Sequence, residues 1–564
     1  MKTKNILIVG GVAGGASCAA RARRLSEEAR IVIFERGPYV SFANCGLPYY
    51  VGKVITDESD LLVATPELFL ERFNIDVRVG HNVRCIDRQA RTVEVEELKT
   101  GRVYEESYDA LVLSPGSQPI RPPLAGMDLP GIFTLWTIPD TRNIVDWIQT
   151  RGVKRAMVVG GGFIGLEMVE NLHRLGIEVT LVEMAPHVMP SMDPEMATFI
   201  HDHLSSKGIA LRLQTAVTGF SQEKGQPLGA ALSTGEVIET DMVLMAVGVR
   251  PRTELAAGAG LTIGQTGGIR VDAAMRTTDE HIWAVGDAVE TVDAVTGTPC
   301  LVPLAGPANR QGRIAADAIL SSAEPAHTFR GVQGTAVCGI LGMTAAATGL
   351  SEKTAQRLHE AGTLPPFEKI YIHPDDHAGY YPDAKTITLK LIFEKEGGRV
   401  LGAQALGLAG VEKRMDVMAA AIQHGATVFN LEEVELCYAP QYGSAKDPVN
   451  VAGMVAANLL RGHAPVVHWP ETVGADVFIL DVRDPDEFRA GHVPKAVNIP
   501  LNSLRDRLDE LPPGREIHTH CYVGQRSYFA NRILIQNGFA VKNISGGYLM
   551  YLAFKACTPG MEDT

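Results

Sequence analysis

The most constraining feature of this sequence is a short apolar strand that runs into a glycine-rich turn and then into a helix. In AMVVGGGFIG (156–165), Gly160, Gly162 and Gly165 have the complete G-x-G-x-x-G spacing. A further predicted strand, VTLVEM, follows the helix and carries Glu183 near its end. This order is typical of a dinucleotide-binding unit, with the pyrophosphate at the helix N-terminus and the carboxylate on the ribose hydroxyls. Because a carboxylate repels a 2′-phosphate, we expect NADH rather than NADPH.

The same pattern occurs at the start of the chain, in NILIVGGVAGG (5–15). Gly10 and Gly15 fit the spacing, whereas Val12 takes the place of the middle glycine. The next predicted strand, IVIFER, carries Glu35 near its end. Two such units in one chain predict two Rossmann-like α/β domains, each of which binds a dinucleotide.

The size, charge and cysteine content of the chain exclude several classes of protein. At 564 residues it is too long for a single hydrophobic core. The net charge of −13 disfavours a nucleic-acid-binding surface, and no apolar run is long enough for a membrane span. The eight cysteines form no C-x-x-C pair, so we expect neither a disulfide framework nor a metal site. The N-terminal MKTKNILIVGG lacks a signal-peptide pattern, which predicts a cytoplasmic protein.

Two further stretches distinguish the roles of the two units. TTDEHIWAVGDAVE (277–290) has an apolar strand before Asp287, and YDALVLSPGSQP (108–119) has a strand before a tight turn with Ser114 and Gly116. Both resemble the flavin-side motifs of the pyridine nucleotide-disulfide oxidoreductase superfamily. The resemblance implies that Asp287 binds the ribitol of FAD and that Ser114 and Gly116 contact the same cofactor. It assigns FAD to the first unit and NADH to the second.

Cys45 lies in SFANCGLPYY (41–50), where classical members of this superfamily carry a C-x-x-x-x-C redox pair. Tyr50 occupies the position of the second cysteine, so Cys45 has no partner thiol in the motif. It must therefore cycle with an exogenous sulfur, as a mixed disulfide, or as a sulfenic acid. The first chemistry is that of single-cysteine coenzyme A disulfide reductases, and the second is that of NADH oxidases and peroxidases.

The sequence around Cys45 favours the first of these subfamilies. SFANCGLP, HAGYYPDA (377–384) and YAPQYGSAKDPVNVAG (438–453) closely resemble coenzyme A disulfide reductase motifs, and the resemblance covers roughly residues 1–460. It implies a homodimer in which two tyrosines of the partner chain approach the cysteine and assist the leaving thiolate. The corresponding residues are Tyr380 and Tyr438, with Tyr381 and Tyr442 as close alternatives.

The same resemblance implies that coenzyme A lies against the first helix and the loops beside it. The implied contacts are Ser17, Arg21, Arg24, Ser41, Asn44 and Lys446, with Arg310 as a weaker candidate. Asn44 is also expected to contact the flavin cofactor. Phe73 and Asn309 depart from the family pattern, which has a lysine and a histidine at these positions. Both departures remove contacts with the coenzyme, so a strict requirement for it stays open.

The C-terminal part of the chain contains a second cysteine motif. FILDVRDPDEFRAGHVPKAVNIPL (478–501) and IHTHCYVGQRS (517–527) closely resemble a single rhodanese domain with its C-x-x-G-x-R-S loop. In such a loop, amide groups at a helix N-terminus would hold an anionic sulfur on Cys521. Four residues separate Cys521 from Arg526, one fewer than in cysteine phosphatases, which suits a single terminal sulfur atom. We expect sulfur transfer here, with an inactive remnant or a phosphatase as alternatives.

These motifs predict a mixed α/β protein with two Rossmann-like domains, an α+β dimerisation domain and a rhodanese α/β domain. The predicted bounds are 1–112 with 247–323 for FAD binding, 113–246 for NADH binding, 324–460 for dimerisation, 461–472 for a linker and 473–564 for the rhodanese domain.

A sulfur carrier attached to a reductase favours persulfide over disulfide as the substrate, because only a persulfide has a sulfur atom to hand over. The sequence therefore predicts FAD-dependent reduction by NADH of coenzyme A persulfide or polysulfide to hydrogen sulfide, with Cys45 as the redox cysteine and Cys521 as the carrier. A coenzyme A disulfide reductase with an ancillary rhodanese domain and an NADH peroxidase or oxidase stay open. A flavin-based redox sensor is a third, non-enzymatic alternative.

Overall fold

The structure is a computed structural model that describes residues 4–223, 226–320 and 327–558. The chain divides into two compact units, the first comprising Met1–Val182 with Thr215–Val332 and the second Glu183–Gln214 with Gln333–Thr564. The predicted boundary between residues 323 and 324 lies outside the described residues. Within the described ranges, no helix is both long and apolar enough to cross a membrane. The mixed α/β fold class predicted from the sequence is confirmed.

The first unit contains a five-stranded parallel sheet with apolar residues on both faces. Its strands, in spatial order, are Ile282–Ala284, Ala110–Leu113, Asn5–Val9, Arg30–Glu35 and Asp76–Val79. Helices Ala13–Leu25 and Ala305–Leu320 pack against each other beside it. A Cβ on Gly312 would lie 2.3 Å from the carbonyl oxygen of Gly14, so this close helix packing requires a glycine. An antiparallel sheet of His81–Asp87, Thr92–Glu97 and Arg102–Ser107 belongs to the same unit.

A second set of parallel strands in this unit contains the complete glycine motif at residues 160–165. Its strands, in spatial order, are Glu178–Val182, Arg155–Val159, Met242–Met245 and Ile132–Phe133. Helices Ile138–Arg151 and Phe163–Arg174 accompany it, as does an antiparallel sheet of Val217–Ser221, Leu228–Leu232 and Val237–Thr240. The strand–turn–helix order predicted from the sequence is present, although the strand after the helix ends one residue before Glu183.

The second unit begins with helix Pro194–Ser206 and contains a five-stranded antiparallel sheet. The strands, in spatial order, are Ala336–Ile340, Met343–Gly349, Val400–Gly407, Ile387–Glu394 and Phe367–Ile372. The helices of this part are Glu352–Glu360, Val411–Gln423, Val428–Glu433 and Pro448–Leu460.

A second, parallel sheet in this unit forms the C-terminal domain. Its strands, in spatial order, are Val466–Val467, Val541–Ile544, Ile517–His520, Phe478–Asp481 and Val497–Asn498. Its helices include Pro485–Ala490, Gln525–Gln536 and Gly547–Cys557.

Residues 466–472, which fall within the predicted linker 461–472, are not connecting chain in the structure. Val466 and Val467 pair with the strand Val541–Ile544. Trp469 is fully buried, and its indole N–H donates a 2.7 Å hydrogen bond to the carbonyl oxygen of Gly547. The Pro and His content of this stretch resembles a linker locally, but long-range pairing and burial make it the first part of the C-terminal domain.

Candidate active site

Cys45 lies in the 3-10 turn Asn44–Gly46, directly before the short helix Leu47–Val51. The residue is exposed and its thiol is free. Desolvation by surrounding atoms, followed by the nearby carboxylates of Glu167 and Asp287, raises the pKa of the Cys45 thiol. A raised pKa leaves less thiolate at neutral pH, so this nucleophile needs help from a hydrogen-bond donor or a positive group that a ligand or another chain brings.

Glu167 is a candidate functional residue that the motif analysis missed. It lies on helix Phe163–Arg174, two residues after Gly165, and burial raises its pKa to about 7. The Tyr49 hydroxyl, from the segment that follows Cys45, donates to the Glu167 carboxylate over 3.5 Å, which is a weak hydrogen bond. The only signal in the sequence is its place just after the glycine fingerprint. Its proximity to Cys45 depends on the tertiary fold.

The first glycine turn brings four of the predicted residues together. Gly10 has a φ of 91°, and a Cβ on it would lie 2.1 Å from the carbonyl oxygen of Ser114. The amide of Gly15 donates to the Ser114 hydroxyl at 3.0 Å, and the amide of Gly11 donates to the Glu35 carboxylate at 2.9 Å. No side chain caps the N-terminus of the helix that follows. A glycine turn, an uncapped helix start and a carboxylate at a strand end are the features that a dinucleotide requires.

Asp287 lies beside the second predicted flavin motif. Its carboxylate accepts a 2.9 Å hydrogen bond from the Ser117 hydroxyl, and burial raises its pKa. Gly116, next to Ser117, has a φ of 67°, and a Cβ there would meet no atom within 4 Å. A half-buried carboxylate beside open space gains most from hydroxyl donors, which a ribitol chain supplies. These residues and the first glycine turn therefore fit FAD.

The second glycine turn has the geometry that its sequence predicts. A Cβ on Gly165 would lie 1.9 Å from the carbonyl oxygen of Gly160, whereas a Cβ on Gly162 would meet no atom within 4 Å. The backbone at Gly162 is therefore open to a pyrophosphate, and the turn fits a nicotinamide dinucleotide. Glu183 belongs to the second unit, where its carboxylate accepts a 2.7 Å hydrogen bond from the amide of Ala185.

The predicted coenzyme A residues on the first helix already have protein partners. Arg21 forms a 2.7 Å ion pair with Asp317, and the Ser17 hydroxyl donates to the side chain of Asn309. A coenzyme phosphate would therefore compete with Asp317 for Arg21. The neighbouring Arg23 is buried and donates hydrogen bonds to backbone carbonyls, so its role is structural.

The other predicted coenzyme residues are more accessible. Arg24 and Arg310 are exposed, and Ser41 and Asn44 are half-buried in the segment that leads to Cys45. Ser41 has a φ of 46°, an uncommon conformation for a residue other than glycine. Lys446 is exposed but belongs to the second unit.

Tyr380 and Tyr438, predicted as a pair, do meet in the structure. Their hydroxyl oxygens are 2.9 Å apart, and 76% of Tyr380 and 50% of Tyr438 is exposed. The hydrogen bond to Tyr438 raises the pKa of Tyr380. Both alternatives, Tyr381 and Tyr442, are exposed, and Tyr381 also packs edge-on against His377.

Arg414 holds the two tyrosine segments together and is a second residue that the motifs do not reveal. Its buried guanidinium contacts the carbonyl oxygen of Asp376 at 2.5 Å, ahead of Tyr380, and the Asp447 carboxylate at 2.8 Å, beyond Tyr438. Asp447 in turn caps the N-terminus of helix Pro448–Leu460. Arg414 therefore positions both tyrosines without touching either.

Cys521 lies at the end of strand Ile517–His520 and before helix Gln525–Gln536, as its sequence predicts. The amide of Gly524 points at its sulfur over 3.1 Å, and the Ser527 hydroxyl lies 3.6 Å from the same atom. Gly524 has a φ of 94°, which lets the loop turn its amide inward. Cys521 itself is fully buried.

Arg526 lies on this loop, but its guanidinium is engaged elsewhere. It donates to both carboxylate oxygens of Glu487, at 2.6 and 2.7 Å. Arg483 makes a similar buried pair with Asp481 at 2.7 Å. The Arg526 pair ties the loop to helix Pro485–Ala490, and the hydrogen-bond donors to the Cys521 sulfur are Gly524 and Ser527.

The comparisons with known proteins agree with this architecture. A family model described as pyridine nucleotide-disulphide oxidoreductase matches residues 4–312, more than half of the chain. The chain belongs to the pyridine nucleotide-disulphide oxidoreductase family. The dimerisation domain of this oxidoreductase family matches residues 335–447, and a rhodanese-like domain matches residues 469–553.

Several relatives of this pyridine nucleotide-disulphide oxidoreductase are similar over most of its length. A coenzyme A disulfide reductase from Staphylococcus haemolyticus is 33% identical over 81% of this chain and 100% of its own. A solved structure of reduced Bacillus anthracis CoADR-RHD is 45% identical, with a TM-score of 0.95 and 99% of each chain covered. A NAD-dependent persulfide reductase from A. fulgidus is 39% identical, with a TM-score of 0.89, over 97% of this chain and 99% of its own. The resemblance to coenzyme A disulfide reductase–rhodanese fusions is thus confirmed.

Proposed function

We propose that this protein is an NADH-dependent, FAD-containing reductase that converts coenzyme A persulfide or polysulfide to hydrogen sulfide. The main support for this proposal is that one chain contains two thiols in different motifs. Cys45 is a free thiol that lies in the sequence between the two glycine turns, and Cys521 is a second thiol in a rhodanese-like loop. All eight cysteines lie in described residues and all are free, so Cys45 has no disulfide partner within the chain. The names of the relatives, which include a coenzyme A disulfide reductase and a persulfide reductase, support the same chemistry.

The two dinucleotide sites would hold different redox cofactors, one FAD and the other NADH. Gly10, Gly15 and Glu35 would hold FAD together with Ser114 and Asp287. Gly160, Gly162 and Gly165 would hold the NADH pyrophosphate, and Glu183 would select a free 2′-hydroxyl. FAD, when bound, supplies a relay for the two electrons that NADH delivers to the sulfur of Cys45.

Cys45 is the proposed nucleophile. Its thiolate attacks the inner sulfur of a coenzyme A persulfide, the bond to the outer sulfur breaks, and hydrosulfide leaves. The result is a mixed disulfide between Cys45 and coenzyme A. Two electrons and two protons, one proton from NADH as part of a hydride and one from solvent, would then restore both thiols. In sum, NADH, one proton and the persulfide become NAD⁺, coenzyme A and hydrogen sulfide.

The tyrosine pair is the proposed acid for this site. In a homodimer, Tyr380 and Tyr438 of one protomer would donate a hydrogen bond to the thiolate that leaves the partner's Cys45. A phenol can do so without adding a permanent charge, and the hydrogen bond between the two hydroxyls keeps Tyr380 protonated to higher pH. The match to a dimerisation domain supports the homodimer.

Cys521 is the proposed sulfur carrier. It would take a sulfane sulfur from polysulfide and pass it to coenzyme A. Because the rhodanese domain is packed into the second unit and residues 466–472 are part of it, no flexible linker sets its reach. A small mobile thiol is therefore the better vehicle, and Ser17, Arg21, Arg24, Ser41 and Asn44 would receive it, with Arg310 and Lys446. Free cysteines throughout suit a reducing compartment, and a cytoplasmic location stays a prediction.

The full burial of Cys521 favours a second candidate, a coenzyme A disulfide reductase whose rhodanese domain plays no part in turnover. An NADH peroxidase or oxidase would instead cycle Cys45 through a sulfenic acid and need neither coenzyme A nor Cys521.

One experiment separates the three. NADH oxidation and sulfide release are measured with coenzyme A persulfide, polysulfide, coenzyme A disulfide and hydrogen peroxide, for the wild type and for Cys45→Ser, Cys521→Ser and Cys85→Ser. Cys85 is exposed and free on a different sheet, which makes it the matched control. We expect Cys45→Ser to abolish sulfide release with FAD still bound, and Cys521→Ser to slow only the use of polysulfide. If Cys521→Ser equals the control with every sulfur donor, the carrier role is wrong, and if peroxide is the best acceptor, the reductase assignment is wrong.

A further inference from the structure

Tyr371 lies on the edge strand of the antiparallel sheet and meets the C-terminal domain there. Its strand, Phe367–Ile372, is the last of the sheet, and the backbone amide of Tyr371 donates a 2.8 Å hydrogen bond to the hydroxyl of Ser545. A Cβ on Gly546 would lie 2.9 Å from the Cβ of Tyr371. The C-terminal domain therefore covers a strand edge that would otherwise expose unpaired backbone groups.

The side-chain hydroxyl of Tyr371 is held by a buried charged cluster. Its hydroxyl donates to Glu195 at 2.9 Å, and the ammonium of Lys390 lies 5.3 Å from the centre of its ring. Lys390 is fully buried and contacts the carboxylates of Asp193, Glu195 and Glu352 at 2.5–2.7 Å. A buried ion-paired cluster resists displacement, because moving one member strands a charge. Tyr371 is thus a fixed point against which the turn at Ser545 rests.

The turn that rests on Tyr371 is the one that supports the Cys521 loop. Residues 545–547 lead into helix Gly547–Cys557, and the amide of Tyr548 donates a 2.7 Å hydrogen bond to the carbonyl oxygen of Cys521. A Cβ on Gly547 would lie 2.5 Å from that same oxygen and 2.8 Å from the amide nitrogen of Gly524. Gly524 is the residue whose amide points at the Cys521 sulfur. A shift of the turn would therefore move the donor that the sulfur uses.

We propose that Tyr371 is a positioning residue for Cys521: by holding the 545–547 turn, it sets the loop so that the amide of Gly524 faces the sulfur. The backbone amide of Tyr371 holds Ser545, and its ring packs edge-on against Phe554 on the helix that follows the turn; Tyr371 does not touch the sulfur. The inference rests on the proposed sulfur-carrier role for its consequence in turnover, but the geometry of the loop can be tested without that role.

The test compares Tyr371→Ala, Tyr371→Phe and Ser545→Ala in the full-length protein. Tyr371→Ala keeps the backbone donor but removes the ring, which packs edge-on against Phe554 of helix Gly547–Cys557 with ring centres 6.0 Å apart. Tyr371→Phe keeps that ring and loses only the hydroxyl, so it is the conservative control. The first readout is the rate at which iodoacetamide alkylates Cys521 as a function of pH, followed by mass spectrometry of the Cys521 peptide. The second is sulfur transfer from thiosulfate to cyanide, and the third is NADH-dependent reduction of coenzyme A disulfide with FAD content.

For Tyr371→Ala we expect the midpoint of Cys521 alkylation to move to higher pH, because the thiolate loses a hydrogen bond from Gly524. Sulfur transfer should fall about tenfold or more, as expected for the loss of one hydrogen bond to a charged group. Tyr371→Phe should stay close to the wild type. Ser545→Ala should change both readouts in the same direction by less, and it serves as the test if Tyr371→Ala does not fold. Reduction at Cys45 should be unchanged in all three.

A wild-type alkylation profile in both Tyr371→Ala and Ser545→Ala would overturn the proposal. A loss of coenzyme A disulfide reduction in parallel with sulfur transfer would also overturn it, because Tyr371 would then act on the fold as a whole. If the wild type transfers no sulfur but the alkylation profiles shift as expected, the carrier role fails while the positioning role of Tyr371 stands.

Discussion

Removing the guanidinium of Arg414 should separate the two tyrosine segments. The perturbation is Arg414→Met, which keeps much of the side-chain volume but leaves the Asp447 carboxylate buried without its partner. Arg414 also donates to the carbonyl oxygens of Asp376 and Gly410, at 2.5 and 3.1 Å. The hydrogen bond to Asp376 ties the segment carrying Tyr380 to Arg414, in addition to the backbone amide of Ala378, which lies within hydrogen-bond distance of the carbonyl oxygens of Pro440 and Gly443.

The expected size follows from these contacts. Breaking a buried ion pair by removing one partner costs about 3–5 kcal/mol, and one hydrogen bond to a charged group contributes about 1.5–3 kcal/mol of this. If the hydrogen bond to Asp376 decides whether the segment with Tyr380 stays against the segment with Tyr438, its loss lowers the equilibrium constant for that contact by about 10- to 100-fold. The conversion is that about 1.4 kcal/mol is a factor of ten. We expect kcat for coenzyme A persulfide to fall by up to the same factor, with KM for NADH unchanged.

The assay is the pH dependence of kcat, with FAD content as a check on folding. The hydrogen bond between Tyr380 and Tyr438 raises the pKa of Tyr380, so separation of the pair should move the alkaline limb of the profile to lower pH. Arg461→Met is the matched control, because Arg461 makes a two-point ion pair with Glu432 at 2.8 and 2.9 Å but is exposed, where solvent screens such a pair and it contributes little to stability. A kcat within about twofold of the control, with the same alkaline limb, would refute the reasoning.

Two further predictions concern the dinucleotide side of the site. Burial raises the pKa of Glu167 to about 7, so this carboxyl is neutral below that pH and an anion above it. The anion opposes ionisation of Cys45. In Glu167→Gln this charge is absent, so alkylation of Cys45 should begin at lower pH than in the wild type. Identical alkylation profiles would contradict this role. Glu183→Ala should improve the ratio of NADPH to NADH kcat/KM by about tenfold, because a like charge near the 2′-phosphate is removed; an unchanged ratio would show that Glu183 does not select the cofactor.

The local motifs were predictable because each depends on a few consecutive residues. The glycine spacing at Gly160–Gly165 predicts a tight turn, and in the structure a Cβ on Gly160 or Gly165 would clash with a backbone carbonyl oxygen. Cys521 was placed between a strand and a helix from the loop sequence alone, and the amide of Gly524 points at its sulfur. The pairing of Tyr380 with Tyr438 followed from the family motifs, and the two hydroxyls do meet.

Residues 466–472 and the arginines of the first helix are features that local sequence patterns do not predict. Residues 466–472 have a linker-like composition, yet Trp469 is fully buried by partners almost eighty residues away, at Gly547. Arg23 and Arg21 lie on the same helix and look alike in the sequence. One is bound to buried carbonyls and the other is paired with Asp317, so the number of basic residues on a helix does not tell how many are free to bind a phosphate.

The sequence by itself determined the local motifs that the chain carries: two glycine turns, Cys45 without a second cysteine in its motif, and Cys521 in a C-x-x-G-x-R-S loop. Such features are encoded in neighbouring residues, because backbone conformation and nucleophile spacing are local properties. Only the tertiary structure decided which charges surround these groups. Glu167 lies near Cys45, Arg414 joins the tyrosine segments, and Tyr371 supports the turn beneath Cys521, because burial brings together residues that are far apart in the chain and changes their pKa and freedom of movement.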